Sequence, residues 1–152
     1  MDDQYIIKHA DKLNWNRITY RNILSENIIT QFHDRLDWKV ISHNQKLSED
    51  LIRKFQDEVS WHWVSNKQEL SETFIREFQD KVDWMQIFTY QKVSVEFVNE
   101  FMSKVNWKAM CITQSLREEF ILAHIDKFDI SNVLNTQNLK PETREYLLLL
   151  NG

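Results

Sequence analysis

A tryptophan recurs at a constant interval along this chain of 152 residues. The members of the series, each 23 residues after the one before, are Trp15, Trp38, Trp61, Trp84 and Trp107. Sequence periods of about 20 to 50 residues are typical of stacked repeats, whose units cannot bury their apolar faces alone. The spacing therefore predicts a tandem-repeat protein.

Each copy of the repeat begins with the signature of a short helix. We call each set of equivalent positions in the repeat an address. The residues that directly precede the tryptophan address, in six successive copies, are Asn14, Asp37, Ser60, Asp83, Asn106 and Asp129. Side chains of these types accept hydrogen bonds from the free N–H groups at a helix start. An apolar residue follows three positions after the tryptophan address, as expected on one face of a helix of about one and a half turns.

A polar turn follows the short helix, and one residue type dominates it. The glutamines that share one address in this turn are Gln45, Gln68, Gln91, Gln114 and Gln137. Because the backbone groups of a turn need hydrogen-bond partners, we predict that each glutamine closes its own turn with its side chain.

A second helix is predicted after the turn. Serine occupies the cap address in four copies, and Pro141 falls at the first helical position of the last copy. Apolar residues spaced by one, three and four positions, such as Phe74, Ile75 and Phe78, indicate a helix of roughly ten residues.

These elements predict an all-α fold, an α-solenoid of tandem 23-residue helix-turn-helix repeats in a single repeat domain spanning 1–152. The predicted boundaries are a half repeat at 1–13, repeats at 14–36, 37–59, 60–82, 83–105 and 106–128, and a C-terminal capping repeat at 129–152. Both ends depart from the consensus, as atypical capping units do, and Ile130 replaces the tryptophan in the last copy.

The repeat resembles a known class of short helical repeats. The matching segments are Leu47-Ser48-Glu49, Leu70-Ser71-Glu72, Asp37-Trp38 and Asp83-Trp84. In these features it is similar to the tryptophan-plus-"LSE" repeats of large DNA virus and phage proteins. The resemblance covers nearly the whole chain and implies a helical-repeat architecture and a viral or phage source, but no particular activity.

Several residue types argue against an enzyme and against a cofactor or metal. The five histidines form no HExxH motif, and one glycine is too few for a phosphate loop. Aspartates recur at one address, as at Asp11, Asp34 and Asp57, which favours a structural contact over a catalytic pair. The single Cys111 is interpreted as a buried small residue. We therefore expect a non-catalytic protein with no cofactor and no metal.

Targeting signals are not visible in the sequence either. The N-terminus shows no basic region before an apolar run, and the longest strongly apolar run, 146–150, is too short to cross a bilayer. We expect a cytoplasmic protein without a membrane span, in the host cytoplasm or the virion if the source is viral.

A ladder of cations offers an alternative function. Its members are Lys12, Arg35, Lys81, Lys104 and Lys127, and Glu58 interrupts it. Such a ladder could follow a nucleic-acid backbone. However, an aspartate precedes each cation except Lys104, cations near helix ends are favoured by the helix dipole, and the net charge is −4. Nucleic-acid binding is therefore the less favoured alternative.

The candidate partner-binding residues lie where the repeat is broken. Trp63 stands outside the tryptophan series, and an extra aromatic side chain is a candidate binding anchor. Late in the chain, apolar residues replace polar ones at five further positions, namely Phe88, Met102, Leu122, Ile125 and Leu134. If those addresses are exposed, they form an interface for a partner or a second copy; the alternative is that the array buries them itself. We expect a protein–protein interaction scaffold or adaptor that binds a host or viral protein, and that could form a homo-oligomer through 88–150.

Overall fold

The computed structural model describes residues 2–152, and over that range the chain forms thirteen α-helices and no strand. The first helices of the repeats are α2 (Trp15–Arg21), α4 (Trp38–Asn44), α6 (Trp61–Lys67), α8 (Trp84–Tyr90), α10 (Trp107–Thr113) and α12 (Ile130–Thr136). The second helices are α1 (Asp3–His9), α3 (Glu26–Gln31), α5 (Glu49–Lys54), α7 (Glu72–Glu77), α9 (Val95–Phe101), α11 (Glu118–Ala123) and α13 (Pro141–Leu150). The predicted all-α repeat arrangement is confirmed.

The helix starts lie where the cap residues predicted them. The Asn14 side chain accepts a hydrogen bond from the Arg17 N–H at 2.9 Å, and Ser48 accepts one from the Leu51 N–H at 3.2 Å. Capping does not hold at every copy, because Ser60 and Arg117 make no side-chain cap hydrogen bond. The local sequence therefore sets the start of each helix, with caps that differ in strength.

The second helix is shorter than the roughly ten residues predicted, except in α13. In the other copies six or seven α-helical residues lead into a tighter segment, as in the 3₁₀ helices η1 (Ala10–Lys12), η2 (His33–Arg35), η3 (Met102–Lys104) and η4 (Ile125–Lys127). Phe32 marks one such change, since its ψ of 26° ends α3 and its carbonyl accepts from the Arg35 N–H three residues later.

The repeated tryptophans contact both the preceding repeat, through the indole N–H, and the second helix of their own repeat, through the ring. In four copies the indole N–H donates to a carbonyl oxygen five residues earlier at 2.9–3.0 Å, from Trp15, Trp38, Trp61 and Trp107. The Trp38 ring lies 4.8 Å from the Phe55 ring, and Trp61 lies 5.0 Å from Phe78. Aromatic pairs at these distances add about 0.5–1.5 kcal/mol beyond area burial.

The repeated glutamines connect neighbouring copies. Gln45 accepts a hydrogen bond from the Leu24 N–H at 2.9 Å and donates to the Thr19 and Asn22 carbonyls at 3.2 and 2.7 Å. All of these partners belong to the preceding repeat. The prediction that each glutamine closes its own turn is therefore wrong, because its side chain reaches back to the turn before it.

The chain divides into two compact units, one ending at Asp83 and the other beginning at Trp84. In the first unit α4 packs between α2 and α6, and in the second α12 packs against α10 and α13. Each unit has a continuous apolar core, with Ile41 and Ile52 fully buried in one and Phe97 and Ile121 in the other.

Candidate functional site

The cation ladder takes part in contacts between repeats. Arg35 Nη1 lies 3.0 Å from Asp11 Oδ1, and Lys81 Nζ lies 2.8 Å from Asp57 Oδ1. Each pair joins the aspartate of one repeat to the cation of the next repeat, which follows the equivalent aspartate by one residue. The aspartates and cations thus act as structural partners here, and paired cations give less support to phosphate binding than free ones.

Trp63 lines a groove on the exposed side of the first helices. The groove, which we call the aromatic groove, encloses about 250 Å³ and is lined by Tyr20, Lys39, Val40, His43, Asn44 and Trp63. The half-buried Trp63 ring has the His43 ring edge-on at 4.3 Å and the His62 ring at 4.9 Å. His62 is itself held by Asp83, with Nδ1 2.9 Å from Oδ2. These neighbours orient the indole ring.

The aromatic groove is open at its Tyr20 end. The Tyr20 side chain is 71% exposed, and Lys39 and His43 are also exposed. The groove therefore offers aromatic and aliphatic surface beside one lysine, a combination that suits an apolar side chain of a protein partner.

Two of the predicted partner-binding residues lie in the core. Phe88 and Leu134 are buried, and the Phe88 ring lies 5.9 Å from that of Trp107. Their address is internal in the earlier copies too, where the fully buried Ser42 hydroxyl donates to the Trp38 carbonyl and accepts from the Ser60 N–H. The expectation that this address is normally exposed is wrong, because it lies on the packed side of the first helix.

The other late apolar residues do reach the surface. Met102 is 38% exposed and Leu122 is 39% exposed, whereas Ile125 is half-buried. At the address of Leu122 the first unit has Arg53, which forms ion pairs with Glu49, Asp50 and Glu77. The hydrogen bond with Glu77 raises the pKa of Arg53 above its usual value. The second unit therefore has apolar surface where the first has a charged network.

In four described copies, the acidic residue at the start of the second helix accepts a hydrogen bond from the N-cap residue of the second helix in the following repeat. The pairs are Asp3 with Ser25, Glu26 with Ser48, Glu49 with Ser71 and Glu118 with Lys140, at 2.6–3.2 Å. We call this contact the carboxylate clamp. It gives the glutamate of the "LSE" segment a role in joining repeats.

Val95 stands at the clamp address in α9 and cannot make this contact. Beside it lies a cavity of about 380 Å³, the Val95 cavity, lined by Lys92, Val93, Val95, Arg117, Glu119, Phe120, Ala123 and His124. Arg117 occupies the cap address, and its Nη2 donates to the Gln91 carbonyl at 2.8 Å. A hydrophobic residue and an arginine thus replace the carboxylate and serine of the earlier copies.

We also considered metal binding, membrane insertion and the single cysteine in the part of the chain that the structure describes. Within residues 2–152 no cluster of three histidine, cysteine or acidic side chains could hold a metal ion, and no helix is long and apolar enough to cross a membrane. Cys111 is 1% exposed and lies 3.5 Å from the Thr136 hydroxyl.

Sequence reasoning singled out Trp63 but missed its neighbours. Tyr20 and His43 lie five residues after their tryptophans, and Val40 and Trp63 lie two residues after theirs. The residue type at both addresses varies from copy to copy. Because α2, α4 and α6 pack side by side, variable residues at these addresses share one surface, and that periodic variation was the available signal.

The fold and these surfaces define an all-α protein of tandem helical repeats. Compared with known proteins, the chain matches no family, no curated protein and no solved structure.

Proposed function

We propose that this protein is a non-catalytic interaction scaffold that binds a partner protein through the aromatic groove. One observation carries the proposal: Trp63 and Tyr20 present aromatic surface in an open groove, at addresses where the residue type varies from copy to copy. Aromatic anchors in pockets supply much of the energy of protein interfaces.

The charges around the groove support a protein rather than a nucleic acid as its partner. Lys39 is a single cation beside the groove, and the ladder cations Arg35 and Lys81 are paired with aspartates. The resemblance of the "LSE" segments to viral and phage repeats supports the further proposal of a viral adaptor that binds a host protein or a particle component, in the host cytoplasm or the virion.

An affinity capture from an extract of the producing cell, with and without nuclease, tests the proposal. We expect the chain to retain a protein after nuclease treatment, and the double variant Tyr20→Ala, Trp63→Ala to lose it. Ile112→Ala is the matched control, since Ile112 has the same address as Tyr20 and is 52% exposed, but lies in the second unit.

Two results would overturn the proposal. One is a captured protein that the double variant retains as well as the unaltered chain does. The other is capture that disappears with nuclease, which would favour the nucleic-acid alternative.

A further inference from the structure

The Val95 cavity lies where the pattern of carboxylate clamps is interrupted. In the clamp between Glu26 and Ser48, the glutamate Oε1 accepts from the serine backbone N–H at 2.7 Å. At the corresponding place the Arg117 backbone N–H has no acceptor among residues 2–152. The fold therefore presents, next to Val95, a donor that a carboxylate satisfies in other copies.

The charges that line the cavity also favour an anionic group. Lys92 and Arg117 are exposed cations there, and Glu119 is the one acidic residue of the lining. A bound carboxylate would meet two positive charges and one negative charge. The Arg117 guanidinium is oriented by its hydrogen bond to the Gln91 carbonyl. Binding a ligand therefore costs less side-chain entropy than it would for a freely rotating arginine.

The remaining walls of the cavity are apolar and partly open. Val95 is 49% exposed, and Ala123 is also exposed. In the first unit the addresses of Val95 and Ala123 are held by Glu49 and Glu77, which both pair with Arg53. The second unit thus joins an apolar surface to a site for a carboxylate.

His124 is the most buried residue of the cavity lining. It is 5% exposed and lines the cavity, and its Nδ1–H donates to the Phe120 carbonyl at 3.0 Å. Its Nε2 is buried and has no hydrogen-bond partner in the part of the chain described here. A buried polar atom without a partner is costly, so this position accommodates histidine less well than the phenylalanine found in four other copies.

We propose that the Val95 cavity binds an acidic peptide segment. An aspartate or glutamate side chain of the segment accepts the Arg117 N–H in place of the missing clamp carboxylate. A neighbouring apolar side chain covers Val95 and Ala123. This site is separate from the aromatic groove and stands or falls independently of it.

A nuclear magnetic resonance titration of the whole chain tests the proposal with two small probes. The probes are the blocked dipeptides acetyl-Glu-Leu-amide and acetyl-Gln-Leu-amide, which differ only in the carboxylate. We expect the glutamate peptide to shift the Arg117 amide resonance in a saturable way. The glutamine peptide should bind roughly tenfold more weakly, because hydrogen bonds to a charged group are the stronger ones.

Variants separate the proposed site from unspecific effects. Val95→Glu restores the clamp within the chain, so its Arg117 amide should already be shifted and should not respond to either peptide. Val95→Leu is the matched control and should respond as the unaltered chain does. His124→Phe introduces the residue found at this address in four other copies, so it should fold normally and, as a second control, bind the glutamate peptide as the unaltered chain does.

Three outcomes would overturn the proposal. They are equal binding of the two peptides, an undiminished response of Val95→Glu, and an Arg117 shift that follows protein concentration without peptide. The last result would identify a second copy of the chain as the occupant.

Discussion

In three copies the glutamine after the first helix, Gln45, Gln68 or Gln137, makes hydrogen bonds to the turn of the preceding repeat. Gln68 is 4% exposed, accepts from the Leu47 N–H at 2.9 Å, and donates to the Ser42 and Gln45 carbonyls at 2.9 and 2.8 Å. One side chain thus satisfies three buried backbone groups. The sequence predicted the importance of this residue but not which turn it contacts, because that depends on how neighbouring repeats stack, and a single sequence does not show the stacking.

Replacing Gln68 with alanine should destabilise the protein. The change leaves three buried backbone groups unpaired, and we expect a loss of about 3 kcal/mol in the free energy of unfolding. Denaturant unfolding measures this loss. Gln114→Ala is the control, because Arg117 donates to the Gln91 carbonyl at 2.8 Å and Gln114 is only half-buried. Equal losses in the two variants would contradict this role of Gln68.

The carboxylate clamp also predicts a dependence of stability on pH. Hydrogen bonds from Thr143 and Lys140 lower the pKa of Glu118 below its usual 4.5. A lowered pKa in the folded state means that the contribution is present above pH 4.5 and is lost as the pH falls through the folded value. Glu118→Gln should therefore lower stability at pH 7 and differ less from the unaltered chain at pH 3. A difference of constant size between these pH values would contradict the prediction.

At the scale of the element, short helices depend strongly on their caps. Ser71 accepts from the Phe74 N–H at 3.1 Å at the start of α7, whereas Ser60 at the start of α6 makes no side-chain cap bond. Sequence predicted the positions of both starts. It could not predict the end of the second helices, because an apolar stripe looks alike in an α-helix and in an α-helix that tightens into a 3₁₀ turn.

The two serines provide a matched test of capping. Ser71→Ala should cost about 1 kcal/mol of stability, since a cap acceptor is lost. Ser60→Ala should cost less than about 0.5 kcal/mol, because its backbone N–H keeps its bond to the Ser42 hydroxyl. Thermal unfolding of the two variants checks the difference, and the reverse order would show that the cap at Ser71 is unimportant.

For the whole molecule, repeated and unrepeated residues have different roles. Most of the repeated tryptophans, glutamines, serines and acidic residues for which contacts are described have partners in neighbouring turns or helices, as Trp61 has in Gln56 and Phe78. The unrepeated ones form the aromatic groove and the Val95 cavity. The sequence indicated Trp63 because this residue lies outside the regular tryptophan series. Phe88 also departs from the repeat, but its address is buried, and the burial of an address is not visible in a single sequence.

The most direct test of this division compares two tryptophans on one helix. The free energy of unfolding should fall by about 3 kcal/mol in Trp61→Ala, which loses an indole hydrogen bond and the ring contacts with Phe74 and Phe78. It should fall by no more than about 1 kcal/mol in Trp63→Ala, whose ring contacts only histidine edges among the aromatic groups described. A loss in Trp63→Ala as large as that in Trp61→Ala would contradict the account, since Trp63 would then be part of the structural repeat.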